Sequence, residues 1–207
     1  MKLDMRYLFP NPSKIVCLAY NYRDLLGDGA GPLIFLKPPS SIVWGSAPIA
    51  IPTDRPVWAE VELALVIGRM AHRVSIGEAM GHIFGYTVAN DVTMENEAGR
   101  DWHLAASKGR DTFCPINPQI ETAIDTSCLA MQTSISGRVT QQSNTGQRIW
   151  DDCEAVSRIS HLMTLEPGDV ILTGTPAGAR DSVLIVGDTV ITKIAGLGKL
   201  ANWVVKV

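Results

Sequence analysis

Nothing in this chain approaches 18 consecutive apolar residues, and the opening MKLDMRYLFPNPSK lacks the apolar core of a signal peptide. A membrane-spanning or exported protein is therefore not expected. No Lys/Arg cluster is present either, and a net charge of −3 gives no electrostatic footprint for nucleic acid. The four cysteines, Cys17, Cys114, Cys128 and Cys153, are scattered, with no C-x-x-C and no neighbouring histidine pattern. That spacing argues against a zinc knuckle and a disulfide framework, and four free thiols fit a reducing cytoplasm. Repeats, low-complexity tracts and polar linkers are missing, so residues 1–207 are read as one domain. At 46% hydrophobic and 19% charged residues, 207 residues suffice for a substantial core.

What is present is a series of short strand-like runs: KIVCLAY, PLIFLK, SIVWG, APIAIP, VELALVIG, FGYTVAND, LAMQTSISG, DVILTGT and DTVITKIAG. Gly, Pro, Asn or Asp punctuates most of them, as turns require. Two helices are predicted. One lies near VSIGEAMGHIFG, where Ser75 and Glu78 have capping-box spacing. The other, GQRIWDDCEAVSRISHLM, places Ile149, Cys153, Val156 and Met163 near one face. The fold class is mostly β with a few helices (α+β), not a doubly wound sheet.

The run WAEVELALVIG places Glu60, Glu62, Ala64 and Val66 on one face of a strand and Val61, Leu63, Leu65 and Ile67 on the other. A wet sheet edge accommodates two glutamates at no cost. The face that carries them turns apolar at Ala64 and Val66, however, and like charges beside a covered surface need a cation or donors. Both readings stay open on the strand alone.

A third carboxylate, Asp91, ends the apolar run GYTVAND, as a turn former or as a partner of the glutamates. Three carboxylates make a hard all-oxygen set suited to Mg²⁺, Mn²⁺ or Ca²⁺ rather than Zn²⁺. Lys108, in ASKGRDTFCP, is a solvated loop lysine or, if aimed at those carboxylates, a group that neutralises a substrate carboxylate or enolate oxygen. VILTGTPAG is a tight turn. Its glycines permit close backbone approach, and its Thr hydroxyls and N–H groups can hold a carboxylate.

In this order the motifs resemble the fumarylacetoacetate hydrolase family, specifically its short single-domain branch with acylpyruvate hydrolases, oxaloacetate decarboxylases and diene-dioate isomerases. The resemblance runs through Asn21–Tyr22, IFLKP, EVELALVIG, GYTVANDVT, SKGRDTFCP, LEPGDVILTGTPAG and VGDTVITKIAGLGKL. It implies a mixed β-roll and a homodimer. It also implies Mg²⁺ or Mn²⁺ held by Glu60, Glu62 and Asp91, with Lys108, Thr175, Gly174 and Tyr22 facing a 2-oxo or 1,3-diketo acid, and residues 20–31 forming a lid.

The chain departs from the family at that lid. Where hydrolytic members carry a water-activating His and Glu, this sequence has Leu25 and Asp28, and leucine accepts no proton. Beyond Asp91, Glu95 and Asn96 stand at the family's Arg–Asp pair and Ala98 near its Gln. The segment between Asp91 and Lys108 is short. His103, within it, is a surface histidine or a substitute base.

These features frame three expectations. The first is an enzyme that stabilises an enolate for isomerisation, tautomerisation or decarboxylation. The second is an acylpyruvate-type C–C hydrolase that recruits His103 or Asp28. The third is a non-catalytic binding homologue, which the intact Glu60, Glu62, Asp91, Lys108 and Thr175 disfavour.

Overall fold

The computed structural model of the chain describes residues 3–9, 12–26 and 31–207. Its main strands are β1 (Ile15–Ala19), β2 (Leu33–Lys37), β3 (Ile42–Trp44), β4 (Ile49–Ile51), β5 (Val61–Ile67) and β6 (Ile83–Asn90). They continue with β7 (Cys114–Ile116), β8 (Ala130–Ile135), β9 (Arg138–Asn144), β10 (Val170–Leu172), β11 (Thr189–Ile194) and β12 (Gly198–Lys206). A seven-stranded sheet runs β2-β1-β10-β5-β6-β7-β3, and a five-stranded sheet runs β9-β8-β11-β12-β4. The pairs β10–β1, β7–β3 and β12–β4 are parallel within otherwise antiparallel sheets. This is a mixed, mostly β fold with few helices, as the sequence leads one to expect.

The alternation in β5 explains how the layers stack. Val61, Leu63, Leu65 and Ile67 enter one core with Met131, Ile194 and Leu200 of the smaller sheet. Ala64 and Val66, on the opposite face, pack with Ile15, Cys17, Ala89 and Ile116 in a second core. Each large side chain so buried contributes roughly 1.5–3 kcal/mol. Because β5 lies between β10 and β6, near the middle of its sheet, the wet-edge reading of its glutamates is excluded.

Among the helices, three bear on the cores and the site: α1 (Ile76–Ala79), α2 (Ala105–Lys108) and the longer α3 (Asp152–Leu162). At α1 the capping box forms, with Glu78 accepting the Ser75 backbone N–H at 3.1 Å. Helix α3 covers the first core with Ala155, Val156 and Ile159. It begins later than the apolar spacing suggests, because Asp151 caps it by accepting the Glu154 N–H at 2.8 Å. Ile149 therefore lies ahead of the helix and not on its face, a correction to the sequence reading. No helix among the described residues is long and apolar enough to cross a membrane.

Candidate active site

The antiparallel β5–β6 register pairs Glu62 with Ala89 and Val61 with Asn90, so the residue after β6 falls opposite the one before β5. Asp91 thus donates its N–H to the Glu60 carbonyl at 2.9 Å. Glu60, Glu62 and Asp91 each bring a carboxylate oxygen to within 4.8 Å of the others. Glu62 and Asp91 are 2% and 1% exposed and Glu60 is 9% exposed, which rules out solvation as the means of tolerating them.

Two lysines supply the compensation. Lys108, at the end of α2, places Nζ 2.8 Å from Glu60 Oε2 and 2.5 Å from Asp91 Oδ2, with the Phe35 ring 5.1 Å away. Lys37, at the end of β2 and 1% exposed, donates to Asp91 Oδ1 at 2.5 Å and to the Val92 carbonyl at 3.1 Å. With all five groups ionised, three carboxylates and two ammonium groups leave one negative charge in a buried pocket. The effects on titration differ by residue. Burial and the neighbouring Asp91 push Glu62 well above the usual carboxylate range. Burial acts on Asp91 in the same direction, but Lys108 and Lys37 outweigh it and hold that carboxyl below its ordinary value. Burial favours a neutral Lys108, and Asp91 and Glu60 override it, so the ammonium persists.

The loop after β10 completes the floor. Gly174 has φ +92, and a Cβ there would sit 3.0 Å from both Asn21 Cβ and the Leu18 carbonyl. Its N–H donates to Glu62 Oε2 at 2.6 Å. In this structure the Gly174 N–H thus holds a carboxylate of the triad itself. Thr175 does face the cavity. Gln141 of β9 directs it, donating from Nε2 to Thr175 Oγ1 and to the Pro176 carbonyl, both at 2.9 Å. The other end of that amide accepts from Val61 N–H at 3.2 Å and from Thr133 Oγ1 at 2.7 Å. Since Thr175 Oγ1 accepts from Gln141, its own proton is left for the cavity.

A cavity of 880 Å³ opens above this cluster, lined by Glu60, Glu62, Asp91, Lys108 and Thr175 on its polar side. Phe35, Trp58, Met94 and Leu104 form apolar wall, and Tyr20, Leu25, Trp102 and His103 also line the cavity. Tyr20 and Leu104 take left-handed φ values of 61° and 58°, so two non-glycine residues in unfavourable conformations stand on the rim. Asp101 holds α2 in place by accepting the Ser107 N–H and hydroxyl, both at 2.7 Å.

Tyr22 does not join them. It is fully buried in the first core and its hydroxyl donates to Met131 Sδ at 3.0 Å, so the expected contact with a ligand is withdrawn and Tyr20 takes the cavity position. Its neighbour Asn21 is structural, tying the segment to Thr173 O at 2.8 Å and to Trp150 N–H at 2.7 Å. Asp28 lies outside the described residues. Glu95 is exposed and does not line the cavity, whereas Asn96 does. Cys17 and Cys114 are buried near the carboxylates. Burial pushes the Cys114 thiol up to about 12 and raises Cys17 as well, so neither serves as a thiolate.

Lys37, Trp58, Gln141 and Arg180 belong to the site without being singled out by the sequence motifs. Only two carry a local signal: Lys37 as a charge closing an apolar strand, and Trp58 two residues ahead of Glu60.

A mixed β-roll with a buried carboxylate triad and paired lysines beneath a ligand-sized cavity defines the class of protein. The Fumarylacetoacetate (FAA) hydrolase C-terminal family model matches residues 14–205. A 2-hydroxyhepta-2,4-diene-1,7-dioate isomerase structure from Mycobacterium marinum superimposes with TM-score 0.88 at 44% identity, covering 96% of this chain and 77% of that one. The mitochondrial oxaloacetate tautomerase of Xenopus laevis is 38% identical over 94% of this chain and 66% of its own length. A fumarylpyruvate hydrolase from Pseudomonas aeruginosa, in complex with Mn²⁺ and pyruvate, gives TM-score 0.86 at 28% identity, covering 94% and 90%. The chain belongs to the fumarylacetoacetate hydrolase family of enzymes.

Proposed function

We propose that this enzyme binds one Mg²⁺ or Mn²⁺ through Glu60, Glu62 and Asp91 and interconverts keto and enol or positional isomers of a 2-oxo acid. The observation that carries the reading is the buried triad under a cavity that Leu25 lines, the residue at which the resemblance would place the family's base. The donor set fits the ion: three close hard oxygen ligands with an excess negative charge suit a divalent cation that retains open positions. When bound, such a cation polarises the 2-oxo group and stabilises developing enolate charge.

The chain's own residues perform the remaining steps. Lys108 keeps its proton and faces the cavity, where its ammonium offsets charge on the carboxylate or enolate oxygen of the substrate. Thr175 donates its free hydroxyl proton to the same end. Phe35, Trp58 and Leu104 exclude water from the reacting carbons, and His103 carries the proton between them. Isomerisation needs no activated water, so Leu25 is compatible with it. Decarboxylation of a β-oxo acid draws on the same enolate stabilisation. C–C hydrolysis is the second reading, favoured by the presence of His103 on the cavity wall, where it could deprotonate water.

Oxaloacetate, acetylpyruvate and fumarylpyruvate followed by ultraviolet absorbance distinguish these readings. We expect a Mn²⁺-supported keto–enol change on oxaloacetate that EDTA abolishes, with no stoichiometric pyruvate. His103→Asn should lower the rate roughly 10²–10⁴-fold, the range of a lost general acid–base. Pyruvate plus a second acid from either diketo acid would establish the hydrolase instead. Full activity in EDTA, or in Glu62→Gln, would remove the metal-assisted reading.

A further inference from the structure

The cavity lining has two permanently cationic side chains, and they are differently committed. Lys108 is engaged by Glu60 and Asp91, whereas Arg180 has no carboxylate within ion-pairing distance among the described residues. Arg180 instead sits over an indole, its Cζ 4.1 Å from the Trp58 ring centre. That indole is itself fixed, since Trp58 is 5% exposed and donates Nε1–H to Glu60 Oε1 at 2.7 Å. One indole thus contacts both the guanidinium and Glu60 of the triad, and all three residues line the same cavity.

The backbone that presents Arg180 is held at several points. Gly178 takes φ +95, and a Cβ there would meet the Thr140 carbonyl at 2.4 Å. The turn of residues 179–181 follows, with the Asp181 N–H on the Gly178 carbonyl at 3.0 Å. Ser182 then donates to Thr140 Oγ1 at 2.6 Å while its carbonyl accepts the Ala59 N–H at 3.0 Å, beside Glu60. A guanidinium presents paired N–H donors in one plane, the geometry that grips a carboxylate with two parallel hydrogen bonds.

We propose that Arg180, seated on Trp58, is the specificity-determining residue that selects substrates with a second anionic group, a carboxylate at the far end of the 2-oxo acid. The inference rests on the proposed binding of the 2-oxo end at the triad. It also gives the cavity a cation although Glu95 stands at a position where the resemblance implies one. The cationic charge comes from the loop after β10 instead.

Calorimetry on the full chain loaded with Mn²⁺ tests this, using 2-oxoglutarate as the dianionic probe and pyruvate as the monoanionic one. Arg180→Met should weaken 2-oxoglutarate roughly 10–50-fold, the range for a charge-assisted hydrogen-bonded pair, and change pyruvate less than about twofold. Arg180→Lys should recover part of the loss. Unchanged 2-oxoglutarate binding, or equal weakening of both probes, would overturn the assignment of Arg180 while leaving the 2-oxo acid reading intact. Failure of wild-type protein to bind either probe would overturn that underlying reading, and this proposal with it.

Discussion

Glu62 is the residue on which the site's energetics turn. It is a fully enclosed carboxylate whose nearest donor is the Gly174 N–H, while both lysines reach Asp91 and one of them reaches Glu60. Burial raises its pKa, so the folded protein binds that proton more tightly than the unfolded chain does. The stabilisation is then complete below the unfolded value of about 4.3 and is lost as pH rises through the folded one. Metal-free protein should accordingly melt at lower temperature as pH is raised from about 5 to 8. Mn²⁺ should flatten that slope, and so should Glu62→Gln without metal. A metal-free melting temperature that rises across the interval would contradict the assignment.

At the scale of elements, the site is the junction of the β5–β6 hairpin with two loops, and the sequence reveals these parts unequally. The runs EVELALVIG and GYTVAND locate Glu60, Glu62 and Asp91 because carboxylates stand out in strands that are buried on both faces and otherwise read almost wholly apolar. Strand β9, RVTQQSN, has no such period. Its key residue, Gln141, is buried by an amide network whose partners lie on β5, β8 and the loop after β10, and no local pattern announces it. Tyr22 misleads for the same reason, since its motif marks the segment while tertiary packing decides which residue turns inward. If Gln141 acts on the ligand only through the Thr175 hydroxyl, the two should couple. Thr175→Val should raise KM or lower kcat about 10-fold, the effect of one hydrogen bond to a charged group. Adding Gln141→Leu should then cost little further activity, although it lowers Tm by orphaning the Val61 N–H. Additive activity losses would show that Gln141 reaches the ligand by another route.

For the whole molecule, we propose that exposed apolar groups at one sheet edge serve self-association. β2 is an edge strand of the larger sheet, and it exposes Leu33 and Leu36 at 58% and 48%. Trp203, on β12 of the smaller sheet, is also 49% exposed. The family resemblance leads to the same expectation of a homodimer, with apolar edge and aromatic groups available to its interface. Sedimentation equilibrium at micromolar concentration should therefore give about twice the chain mass of 22.4 kDa. Leu33→Asp, which places a charge on the exposed edge, should shift the population toward monomer without altering far-ultraviolet circular dichroism. A wild-type mass equal to one chain would refute the dimer. A dimer indifferent to Leu33→Asp would instead move the interface away from β2, toward the surface around Trp203.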